Sequence, residues 1–254
     1  MGVVNVTPDS FSDGGRFLDP AAAIEHARQL AEEGADILDI GGESTRPGAA
    51  SVSEEEELRR VIPVLEKTRD LCVSVDTRRA RVMKEALQAG ASMINDVDAL
   101  SAPGALEAVA GSECGVCLMH KKGEPATMQR DPHYDDVVSE VKGFLGRRID
   151  AARAAGIAEE RIVVDPGFGF GKTAANNLAL LKHLPELSAL PILVGLSRKS
   201  TLGKITGRPV EERLAGSLAM ALLALQRGAA ILRVHDVKET KDLVAVWQAF
   251  TSVE

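Results

Sequence analysis

Short apolar runs alternate with longer stretches of mixed polarity along almost the whole chain. Eight runs stand out: Val3–Val6, Ile37–Ile40, Cys72–Val75, Met93–Asp96, Val116–Met119, Ile162–Val164, Ile192–Val194 and Ile231–Val234. Each is too short for a helix and is rich in branched residues, the pattern of buried parallel strands. The intervening stretches carry helical periodicity at about 20–34, 53–69, 78–89, 103–110, 135–155, 174–183, 209–227 and 237–250. Three of them end in related phrases, Glu33-Gly34-Ala35, Ala89-Gly90-Ala91 and Arg227-Gly228-Ala229, placing Gly where a helix stops and a strand follows.

Eight strand–helix units predict an α/β protein, a (β/α)8 TIM barrel. A doubly wound open sheet would have fewer strands in this length and one topological switch point. No Pro/Gly/Ser-rich linker or charge block divides the chain, so a single domain over 1–254 is expected. Sites on such barrels lie just after the strands, and polar groups follow every run. They include Asn5 with Thr7–Ser10, Gly41–Gly48, Asp76-Thr77, Asn95-Asp96, His120, Asp165-Pro166-Gly167, Ser197–Lys199, and Arg233 with His235-Asp236.

Composition narrows the ligand. Lys plus Arg is 30 and Asp plus Glu is 37, a net charge of −7, against a general nucleic-acid surface. Six Phe, one Tyr and one Trp give only 3% aromatic residues, too few for rows of base-stacking rings. Local cations at one rim (Arg46, Lys199, Arg233, His235) still suit a phosphate or diphosphate. Asp76, Asn95 and Asp165 add acceptors that could grip a donor-rich heterocycle or stabilise a developing cation.

Other motifs are weaker. Gly167–Thr173 fails the phosphate-loop pattern, because Pro166 stands where that pattern needs Gly. Its glycines suggest backbone close to a ligand, with Phe168 or Phe170 as an apolar wall. Cys114-x-x-Cys117 has no second pair and reads as structural. Ser53 followed by Glu54–Glu57 reads as a helix start with no assigned function. Leu214–Leu225 is apolar nearly all round, so a second face covered by another subunit, a homodimer, is expected. Three cysteines, no basic leader and no apolar run of spanning length point to the cytoplasm, with no membrane partner.

Several segments together resemble the dihydropteroate synthase family. The opening Met1–Gly15, with Asn5-Val6-Thr7-Pro8-Asp9-Ser10-Phe11-Ser12-Asp13-Gly14-Gly15, is similar to its first signature. Asp39–Gly48, with Gly41-Gly42-Glu43-Ser44-Thr45-Arg46-Pro47-Gly48, is similar to its second. Ser74–Thr77, Asn95–Val97, Leu118–His120, Asp165–Lys172, Ser197–Ser200 and Arg233–Asp236 follow in order across essentially the whole chain.

The resemblance implies a TIM-barrel transferase of folate biosynthesis. It would join 4-aminobenzoate to 6-hydroxymethyl-7,8-dihydropterin diphosphate by an SN1-like substitution, releasing 7,8-dihydropteroate and diphosphate. It would be a sulfonamide target. The resemblance implies catalytic roles for Asp76, Asp165, Lys199 and Arg46. It places the pterin at Asp76, Asn95, Val97, Met119, Asp165, Phe170, Gly195 and Lys199. Diphosphate would meet Asn5, Arg46, Arg233 and His235, with Mg²⁺ beside Asn5. The aminobenzoate would meet Phe11, Thr45, Arg46, Pro47, Ser197 and Lys199.

Two departures stand out. Family members usually carry a short segment before the first signature, which here starts at Met1. Thr201 stands where a bulky apolar residue is common, near the aminobenzoate side. The alternatives are a pterin-dependent methyltransferase, without the full first two signatures, and a non-catalytic pterin-binding protein.

Overall fold

The structure is a computed structural model that describes residues 1–7, 20–44, 51–124 and 127–253. Its strands are β1 Gly2–Asn5, β2 Leu38–Gly41, β3 Val73–Asp76, β4 Met93–Asp96, β5 Gly115–Met119, β6 Ile162–Asp165, β7 Leu193–Val194 and β8 Ile231–Leu232. The helices are α1 Pro20–Glu32, α2 Glu54–Lys67, α3 Ala80–Ala89, α4 Ala105–Ala110, α5 Val137–Ala154, α6 Ala174–Lys182, α7 Ser200–Thr206, α8 Leu214–Gln226 and α9 Val237–Thr251.

Strands β1 to β6 form one parallel sheet in chain order, and β7 pairs with β8. Single parallel bridges join the two sheets, Val164 to Ile192 on one side and Gly2 to Val234 on the other. The ring is therefore the expected (β/α)8 arrangement, with two of its seams made by bridges rather than ladders.

Alternation along the strands separates two cores. Val4, Ile40, Val75, Ile94, Val116, Leu118 and Val164 point outward and belong to the large apolar cluster shared with the helices. Met93, Cys117 and Leu193 point inward and form a smaller cluster with Met1. A period of two explains why neighbours in one apolar run belong to different cores. Cys114 and Cys117 are both buried and free, in keeping with a structural role.

Two elements differ from expectation. The stretch expected to be one helix over 209–227 begins as a short 3₁₀ turn, Val210–Glu212, and the α-helix starts only at Leu214. Helix α7 was not foreseen. Its seven residues include Gly203 and three β-branched side chains, so intrinsic propensity is low. Tertiary contact supplies what propensity lacks: the buried Thr201 hydroxyl accepts from Asn177 Nδ2 at 2.8 Å, tying α7 to α6. Thr201 is thus committed to this contact.

Candidate active site

Strand ends position the polar groups because the register aligns them. Asn5 pairs with Gly41, Gly41 with Asp76, and Asp76 with Asn95, making one level across four neighbouring strands. At Gly41 a Cβ would stand at an ordinary contact distance of 3.6 Å from that of Asp76. Above it opens a cavity of about 400 Å³. Its lining includes Asn5, Thr7, Asp76, Phe170, Ser197, Lys199, Arg233 and His235.

Arg233 organises the floor. Its Nε donates to Asp39 Oδ2 at 2.6 Å and its Nη2 to Asp76 Oδ2 at 3.0 Å. Asn95 Nδ2 donates to the same Asp39 oxygen at 3.0 Å. Two carboxylates thus share one guanidinium in a buried place. Burial pushes the Asp76 carboxyl up; Arg233 opposes the shift and Asp39 reinforces it. Burial also raises Asp165, whose Oδ1 accepts from Gly167 N at 2.7 Å. Asn95 Oδ1 is a buried acceptor with no protein partner among the described residues.

The opposite wall is cationic. Lys199 Nζ donates to the Phe168 carbonyl and lies 4.9 Å from the centroid of the Phe170 ring. Burial lowers its pKa to about 8, against the pull of Asp165. Gly195 sits beneath it: a Cβ there would be 3.7 Å from Lys199 Nζ. His235 Nδ1 lies 3.1 Å from Ser197 Oγ, which also accepts from the His235 amide. Arg198 holds the left-handed region at φ 58° and pairs with Asp236, so the turn between Ser197 and Lys199 is fixed from outside.

The sequence-derived site residues are therefore brought together in part. Asn5, Asp76, Phe170, Ser197, Lys199, Arg233 and His235 line the cavity. Asn95, Val97, Met119 and Asp165 are buried. Phe11, Thr45, Arg46 and Pro47 lie outside the described residues. Of the two residues proposed as an apolar wall, both border the cavity, Phe170 half-buried and Phe168 fully buried and part of the core.

Four functional candidates escaped the sequence reading. Asp39 lies inside the Ile37–Ile40 run, where it was given no role of its own; its inward position is legible from the alternation. Met128 and Gln129, beyond β5, also line the cavity, and Gln129 donates to the Gly169 carbonyl. Glu57, read as part of a helix start with no assigned function, is buried and paired with Arg79. Arg79 also pairs with Glu43 at 3.1 Å and donates to the Val52 carbonyl at 2.6 Å, tying β2's end to α2's entry.

A hard oxygen is offered by Asn5 at the cavity edge. Among the described residues, no group of three or more His, Cys, Asp or Glu is placed to hold a metal ion. Overall the cavity has acceptors on its floor, cations on its walls and an aromatic face. It suits a flat heterocycle carrying an anionic tail.

The sequence model of the pterin binding enzyme family matches residues 1–235. The chain is 51% identical over 259 residues to the dihydropteroate synthase of Escherichia coli, covering 100% of this chain and 92% of that one. It is 54% identical over 260 residues to that of Neisseria meningitidis serogroup B, covering 98% and 91%. Among solved structures, Yersinia pestis dihydropteroate synthase in a sulfonamide drug complex aligns with TM-score 0.96 and 50% identity, covering 100% and 94%. The Xanthomonas albilineans enzyme in complex with 7,8-dihydropteroate aligns with TM-score 0.90 and 54% identity, covering 100% and 93%. The same organism's enzyme with 4-aminobenzoic acid gives TM-score 0.94 and 58% identity, again covering 100% and 93%.

Proposed function

The chain belongs to the pterin-binding enzyme family and is a transferase of the dihydropteroate synthase type; on that premise we propose how its barrel mouth joins 4-aminobenzoate to 6-hydroxymethyl-7,8-dihydropterin diphosphate. The observation that carries the reading is the meeting of Asp76 and Lys199 in one cavity of about 400 Å³, over a floor that holds Asn95 and Asp165.

The pterin edge carries N–H donors and ring acceptors in one plane. Asp76, Asp165 and Asn95 Oδ1 supply acceptors, and Lys199 supplies a donor. Val97 and Met119 close the apolar floor, Gly195 leaves room beside Lys199, and Phe170 covers the ring. The diphosphate tail meets Asn5, Arg46, Arg233 and His235. Arg233 spends Nε and Nη2 on Asp39 and Asp76, and a guanidinium has further N–H groups for a phosphate oxygen. The aminobenzoate lies against Ser197 and Lys199, with Phe11, Thr45, Arg46 and Pro47 completing its site.

The reaction is an SN1-like substitution. The bond between the pterin methylene carbon and the diphosphate oxygen breaks, and its electron pair leaves with diphosphate. The methylene cation spreads into the pterin ring, where the buried carboxylates of Asp76 and Asp165 stabilise it. The aniline nitrogen then attacks with its lone pair and releases one proton. That amine is neutral at pH 7, so no strong general base is needed.

Asn5 would hold Mg²⁺ through its side-chain oxygen, a hard ligand suited to that ion. When bound, magnesium neutralises charge on the diphosphate. A homodimer is supported by the exposed leucines of α8, and a cytoplasmic setting by three free cysteines.

A coupled assay of diphosphate release tests the reaction. Release should require both 4-aminobenzoate and the pterin diphosphate, and should fall on removing Mg²⁺. Methyl transfer from a methylated folate in place of diphosphate release would refute the reading. Asp76→Ala and Arg46→Ala should each cut turnover by on the order of 10²-fold or more with the circular dichroism unchanged. Near-wild-type activity in either variant would remove that residue from its role.

A further inference from the structure

Lys172 is a buried lysine that the proposed chemistry does not use. Its side chain is almost completely enclosed and bonds to no carboxylate among the described residues. Nζ donates to the carbonyls of Gly167 at 2.9 Å, Phe170 at 3.0 Å and His120 at 3.3 Å, and lies 2.9 Å from His120 Nδ1. Four acceptors therefore surround three N–H groups. His120 serves as an acceptor, because burial and the neighbouring Lys172 lower its pKa to about 3.

Burial lowers the Lys172 pKa to about 7, against the pull of the nearby Asp165, and its hydrogen bonds among the described residues all go to uncharged acceptors; an apolar side chain would fill this space more cheaply. What the amine does is local. It draws together the Gly167–Phe170 turn and the end of β5. The two segments are in tight contact, since a Cβ at Gly167 would collide with the His120 carbonyl, and Gly167 has φ 70°. The turn in turn positions groups at the cavity. Gly167 N holds Asp165, the Phe168 carbonyl holds Lys199 Nζ, and the Phe170 ring lies beneath that ammonium.

We infer that Lys172 is a positioning residue for the pterin site: it pins the glycine turn to β5 at His120 and so fixes where Asp165 and Lys199 present their charges. The inference rests on the pterin reading of the cavity. A second tie, from Gly169 N to Asn177 Oδ1 at 3.0 Å, does not involve Lys172 and remains in its variants.

The test compares Lys172→Met with wild type in steady-state kinetics, thermal melting and calorimetric binding of the pterin diphosphate. Misplacing reacting groups by about 1 Å costs on the order of 10²-fold, and a loss of that size in kcat/KM for the pterin diphosphate is expected. Calorimetric affinity for the pterin diphosphate should weaken in parallel. A purely structural Lys172 would lower the melting temperature and leave the constants of the folded enzyme unchanged, which would overturn the proposal. If Lys172→Met does not yield folded protein, Lys172→Gln keeps two N–H donors and is measured in the same way. A smaller loss, again with weakened calorimetric affinity, supports the pin; wild-type constants overturn it. Failure of the wild type to release diphosphate would refute the assigned reaction instead. Calorimetry would then still report on Lys172 through pterin binding alone.

Discussion

Arg233 is the residue on which the site's electrostatics turn, because Asp39 and Asp76 both depend on it. Asp39→Asn keeps the shape but removes one of the two negative partners. With less carboxylate charge to hold it, the guanidinium should shift, and kcat/KM should fall by roughly tenfold with little change in melting temperature. Unchanged kinetics would mean that Asp39 only fills the barrel. Lys199 gives a pH prediction. Its pKa is lowered to about 8, so its ammonium is intact well below that value and is lost as pH rises through it. The neutral form is favoured by folding, so this group adds stability as pH rises, while its role as a cation is lost. The kcat/KM profile should therefore bend down above about pH 8. In Lys199→Arg the alkaline limb should move out of range, because Arg does not titrate there; an identical limb in an active variant would assign it to another group. At this scale the sequence was informative for residues after each strand. It was uninformative for Glu57, for Lys172 and for the pairing of Asp39 with Arg233, which depend on burial and on partners far along the chain.

Elements followed the sequence where local rules suffice. The helix over 80–89 ends where Gly90 takes φ 109°, and its amide bonds back to the Ala86 and Leu87 carbonyls. Gly90→Ala would force a Cβ into the left-handed region, while its nearest neighbour, Arg69 Cγ, would be at an ordinary 3.4 Å. The cost is thus backbone strain of about 1 kcal/mol. A urea denaturation midpoint lowered accordingly, at unchanged slope, is the expected result; an unmoved midpoint would show that α3 ends for another reason. Helix α2 was equally legible, as Ser53 Oγ accepts from Glu56 N at 3.2 Å and four acids fill the first turn. Helix α7 was illegible. Its Gly203 and β-branched residues argue against helix, and only packing on α6 through Asn177 and Thr201 makes it one.

For the whole molecule, the outstanding expectation is the dimer. Leu214 and Leu223 on α8 are 37% and 45% exposed, and Ile205 on α7 is 51% exposed. An apolar face of that kind is stable in water when a second copy covers it. Light scattering at micromolar concentration should give the mass of two chains, and Leu223→Arg should reduce it to one. A single-chain mass for the wild type would end the proposal. The chain's own pattern determined the alternation of strand and helix, the helix stops and the polar groups at each strand end, because these depend on neighbours a few residues apart. Tertiary structure alone decided which inward groups meet: Arg233 pairs with Asp39 across 194 positions, and Lys172 reaches His120 across 52. Those partnerships depend on through-space distance and on the cost of burying charge, and neither is written in the order of residues.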